Sequence, residues 1–177
     1  MTESTGLKAV LGSLSAVYSR VLRVIVYALL VVSGLGVLTI MVVTCTDVVL
    51  RLPWIKRSVL GAYDIVKLAG ALSLAAALPY TTAVKGHVAI EYFFHKLNRP
   101  GRIIVDTAAR LMAMALFVSL GGRTVLYGFE LHRNGQVSQT LQLPVFWVAH
   151  AIGICCFVVV LVIAYNLTHP GREMIKP

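Results

Sequence analysis

Three pairs of opposite charges at helical spacing invite a chemical reading: Asp47 with Arg51, Asp64 with Lys67, and Asp106 with Arg110. At i, i+3 or i, i+4 each pair meets on one face of a helix. Ionisable residues inside apolar segments mark an ion or proton path, or else an anchor. A path needs acids near the middle of the membrane, whereas each of these pairs stands within about two turns of the end of an apolar block, where the charged heads reach the interface. They are read as anchors and subunit contacts, not as a transport route.

Other reactive residue types give no catalytic constellation. His87 and Glu91 share a helical face but have no third ligand nearby, so the face is read as solvated rather than metal-binding. Of five histidines, only His150 falls well inside an apolar block, while a four-helix haem protein wants two or more at matched depth. Cys45, Cys155 and Cys156 all sit in apolar blocks without CxxC or zinc-ligand spacing and are read as small packing residues. Gly34-Leu-Gly36 lacks the third glycine of a dinucleotide fingerprint and reads as a place of close helix packing. No P-loop is present. The expectation is a non-enzymatic chain with no cofactor of its own.

The elements that must position these residues are transmembrane helices. The chain has 177 residues, of which 58% are hydrophobic and 13% charged, and its mean hydropathy is +0.84. Soluble domains carry about 25% charge. The net charge of +9 includes no run of five or more basic residues and falls mostly at block ends, which points to anionic lipid headgroups and not to nucleic acid. Four spans are predicted within one all-α membrane domain over residues 1–177, at about 24–50, 62–84, 103–127 and 144–167. The uncharged run 24–46 exceeds the roughly 7–15 apolar residues of a cleavable signal and is expected to stay as a helix. Between the second and third spans, Ile90, Phe93, Phe94 and Leu97 recur at i, i+3, i+4 and i+7, with His87, Glu91, His95 and Asn98 on a neighbouring face. That pattern predicts a short amphipathic helix at about 87–97, lying in the interface.

Basic residues set the expected orientation. Lys8, Arg20, Arg23, Lys85, Lys96, Arg99, Arg102, Arg172 and Lys176 fall on the side of the N-terminus, against Arg51, Lys56, Arg57 and Arg133 opposite, a bias of nine to four that places both termini in the cytoplasm. Lys67, Arg110 and Arg123 remain within helices. Along the second span, Ala69, Ser73 and Ala77 form a small-residue ridge that lets another helix approach closely, either within this bundle or from a partner. Pro79 should bend the same helix.

The order of these segments carries a resemblance. DVVLR (47–51) closes the first span, GAYD (61–64) opens an Ala/Leu helix containing LPY (78–80), KGHVAIEYF (85–93) precedes Pro-Gly-Arg, and LQLPVFW (141–147) opens the fourth span. The chain resembles the small membrane subunit, of DctQ type, of tripartite ATP-independent periplasmic (TRAP) transporters. The resemblance implies a subunit of the bacterial inner membrane that braces a large, elevator-type membrane subunit in a 1:1 heterodimer. It implies sodium-driven uptake of an organic acid captured by a periplasmic binding protein, with the coupling sodium held on the large subunit. The family pattern falls on Asp47, Arg51, Gly61, the acid at 64, Gly86-His87, the acid at 91, and Pro144, with an aspartate at 64 where the family often has glutamate. Lys67, Ala69, Ser73 and Ala77 are added as anchoring or contact residues. The small subunit of a tripartite tricarboxylate transporter is a neighbouring reading. A four-helix membrane enzyme or haem protein is one from another class.

Overall fold

The computed structural model describes residues 3–52, 59–84 and 99–168. Within them lie four α-helices and no strand: α1 (Glu3–Leu50), α2 (Ala62–Ala83), α3 (Arg99–Arg133) and α4 (Phe146–Thr168). All four contain a stretch long and apolar enough to cross a membrane, Val17–Leu50, Ala62–Ala83, Ile104–Arg133 and Phe146–Leu167. The expected interfacial helix over 87–97, with His87, Ile90, Glu91, Phe93, Phe94 and Leu97, lies outside the described residues.

Two helices outrun the spans predicted for them. No proline interrupts residues 3–50, so the polar N-terminal segment continues as helix into the first span, and α1 reaches 48 residues, about 72 Å at 1.5 Å per residue. The helix α3 runs through Arg133 and stops where Gly135 takes a left-handed φ of 58°. The Gly135 N–H donates to the His132 carbonyl at 3.1 Å and the Gln136 N–H to the Leu131 carbonyl at 3.0 Å. Together these satisfy carbonyls that the helix end would leave bare. By contrast α2 keeps close to its predicted limits, and its chain is helical straight through Pro79.

The helices pack in the order α1, α2, α4, α3, with α1 also touching α4 and α3 resting substantially on α4 alone. Half of the α4 span is buried but only 6% of the α3 span, so α4 is the central element and α3 an edge. The apolar core lies where three helices converge: Leu22 and Val26 of α1, Ala83 of α2, and Val158 and Val162 of α4, flanked by Leu29, Tyr80 and Tyr165. Tyr18 crosses this junction, its hydroxyl donating to the Leu161 carbonyl at 3.1 Å.

Candidate functional site: polar clasps between the helices

The chain turns into α2 at Gly61, whose φ of 83° lies in the left-handed region that glycine adopts without steric penalty. A side chain there would also collide with that of Leu141. One turn of helix later stands Asp64, 2% exposed. A single carboxylate oxygen, Oδ2, accepts three hydrogen bonds from the 134–145 loop: from the Ser138 hydroxyl at 2.8 Å, the Thr140 N–H at 2.7 Å and the Leu141 N–H at 2.9 Å. Charge-assisted bonds of this kind are about twice as strong as neutral ones. The loop is folded to present these donors: the Ser138 N–H donates to the Leu143 carbonyl at 2.9 Å, the Leu143 N–H to the Ser138 hydroxyl at 3.3 Å, and Gln142 takes a positive φ of 51°. The GAYD and LQLPVFW segments open two separate helices, as expected, and are also parts of one clasp.

This clasp replaces the expected meeting of Asp64 with Lys67. The two ion pairs among the described residues are Asp47–Arg51 and Asp106–Arg110, each at 2.8 Å. Lys67 is exposed and Asp64 points to the loop, because three convergent donors hold a carboxylate better than one flexible ammonium at the surface. Asp47 does more than pair: its second oxygen accepts the Val59 N–H at 3.0 Å, which ties the end of α1 to the segment leading into α2. Arg110 spans helices, donating to the Asn166 carbonyl near the end of α4, where cations complement the helix dipole. The Asn166 amide in turn donates to the Thr82 carbonyl of α2 at 3.4 Å.

The small-residue ridge of α2 meets α1 of the same chain. The Ser73 hydroxyl, buried, donates to the Ser33 carbonyl at 2.8 Å, and the two serine hydroxyls stand 3.3 Å apart. A Cβ on Gly36 would lie 2.9 Å from Ser73 Cβ and 3.4 Å from the Ala69 carbonyl oxygen, while at Gly34 nothing approaches within 4 Å. Thus one glycine of the Gly34-Leu-Gly36 pair is a packing notch and the other is not. Ala77 is half-buried.

A second seam, not foreseen in the sequence, joins α3 to α4. A Cβ would lie 3.2 Å from Cys156 Cβ at Gly121, 2.6 Å from the His150 ring at Gly128, and 2.6 Å from Val125 Cγ2 at Gly153. Gly121 and Gly128, seven residues apart on one face, were the available signal. His150 fills the notch at Gly128 with Nδ1 2.8 Å from the Phe146 carbonyl oxygen and its ring edge-on to Phe129. That is a packing role. Among the described residues no group of three or more His, Cys, Asp or Glu side chains is placed to hold a metal ion.

Four apolar spans joined by polar clasps define a multi-pass membrane protein in which Asp47, Asp64, Asp106 and Arg110 hold helices and a loop together. A model of the family described as "Tripartite ATP-independent periplasmic transporters, DctQ component" matches residues 40–170, and the chain belongs to that family. No curated protein and no solved structure matches it. The chain is therefore the small membrane component of a TRAP transporter, a member of a tripartite system with a large membrane subunit and a periplasmic binding protein.

Proposed function

We propose that this subunit is a static brace: paired 1:1 with the large subunit in the bacterial inner membrane, both termini cytoplasmic, it steadies an elevator motion that carries an organic acid inward with sodium. The supporting observation is how its polar groups are used. Asp47, Asp64, Asp106, Arg110, Ser33 and Ser73 each fasten one element of this chain to itself or to another. A carrier needs groups free to bind a solute and release it, whereas fixed hydrogen bonds between helix ends suit a part that holds its shape while its partner moves. Substrate and coupling sodium belong on the large subunit and the binding protein.

Reconstitution tests this. With binding protein and large subunit held constant in liposomes, omitting this chain should abolish organic-acid uptake under a sodium gradient. This chain alone should move none. Full uptake without it would remove the bracing role.

A further inference from the structure

Arg123 is set apart by its depth in the spans. It is exposed on α3 and is in neither ion pair of the described residues, nor in any hydrogen bond among them. Its depth follows from the α3–α4 seam. Gly121 faces Cys156 and Gly153 faces Val125, so Arg123 is level with the stretch 153–156, near the middle of the Phe146–Leu167 span. Cys155 lies nine residues beyond Phe146, about 14 Å at 1.5 Å per residue, in a hydrocarbon layer about 30 Å thick. Its direction also follows. Two residues from Gly121 and two from Val125, it is turned about 200° from them, onto the face opposite α4. The exposed Met112, Leu116 and Tyr127 lie 11 and 7 residues before it and 4 after, on the same face.

An arginine at such depth needs an anion. Headgroup phosphate is poorly placed to be that anion. An arginine stem covers only about half the distance to the nearer interface. Helical side chains also lean toward their helix's N-terminus, which for Arg123 is the Arg110 end and hence the farther interface. A second copy of this chain brings no suitable carboxylate among the described residues. Asp47, Asp64 and Asp106 are engaged, and Glu130 lies seven residues farther along α3, about 10 Å away, without pairing to Arg123. We propose that the outward face of α3, centred on Arg123, docks a transmembrane segment of the large subunit that presents an aspartate or glutamate at mid-membrane depth. This rests on the pairing of the two subunits proposed above.

The test is co-purification through a tag on the large subunit, in detergent, with both chains co-expressed. Recovery of the unaltered small subunit checks the pairing itself, and its absence would count against the proposed function rather than against this surface. Given that recovery, Arg123→Leu should lower the retained small subunit about tenfold or more, as loss of one partner of a desolvated charge pair does. Purified alone, the variant should keep its thermal midpoint, since Arg123 is exposed and makes no ion pair or hydrogen bond among the described residues. Neutralising the membrane-embedded acids of the large subunit one at a time should find one whose loss lowers retention equally, and costs nothing further beside Arg123→Leu. Retention of Arg123→Leu at the unaltered level would overturn the proposal. So would a loss that couples to no acid of the large subunit, or that added phosphatidylglycerol alone governs, since the anion would then be lipid.

Discussion

Asp64 shows what one residue does when its carboxylate faces three donors at once. The short aspartate arm lets a single oxygen reach the Ser138 hydroxyl and two backbone N–H groups. Replacing Asp64 with Ala removes the acceptor of three part-buried, charge-assisted hydrogen bonds and so releases the loop from the start of α2. The expected outcome for Asp64→Ala is a thermal midpoint several degrees lower in detergent and faster proteolysis within the 134–145 loop. Asp64→Asn keeps one accepting oxygen and should fall between. Unchanged loop proteolysis in the alanine variant would show that the clasp contributes nothing. Gly61 sets a stricter condition, combining φ of 83° with the Leu141 contact. Gly61→Ala should therefore destabilise even when Leu141→Ala makes room, because the backbone strain outlasts the clash.

At the scale of the element, stability comes from seams where small residues bring backbones together. Lipid offers helices no hydrophobic drive to associate, so close packing and interhelical hydrogen bonds carry the association. Ser73 of α2 supplies both against α1. Ser73→Leu should force α1 from α2 by overpacking, at about 1–3 kcal/mol, and lower the thermal midpoint of the purified subunit in the absence of any partner. Ser73→Ala forfeits only a bond of about 0.6 kcal/mol and should be mild. A leucine variant that unfolds normally alone but fails to join the large subunit would place this ridge at the subunit interface instead. The ridge itself was legible in the sequence, as were all four spans, because hydropathy and residue size are local properties. Its partner was not: Ser33 and Ser73 are 40 residues apart, and Asp64 and Ser138 are 74 apart. No periodicity encodes which distant loop a carboxylate will meet. The helix ends were missed for a different reason, since α1 and α3 extend wherever no proline or left-handed glycine stops them, whether or not the residues are apolar.

For the whole molecule, helix order and orientation decide which residues meet which compartment. Since α1 and α3 run opposite to α2 and α4, the Asp64 clasp, the Asp47–Val59 tie and the 134–145 loop share one end. The Arg110–Asn166–Thr82 contacts share the other. The nine-to-four bias of basic residues argues that the second end faces the cytoplasm, where positive flanks are retained during insertion. Single cysteines read this directly. Ser138 is a poor reporter because its hydroxyl is committed to Asp64, whereas the neighbouring Gln139 is exposed. With Cys45, Cys155 and Cys156 replaced by Ala, a cysteine at Gln139 should react in intact cells with an impermeant thiol reagent. One at Arg20, exposed on α1, should react only after the membrane is opened. The reverse pattern would turn the molecule over and put the Asp64 clasp in the cytoplasm. Arg123, near mid-depth from either side, would then still need its anion, so the docking face on α3 does not depend on which way the subunit points.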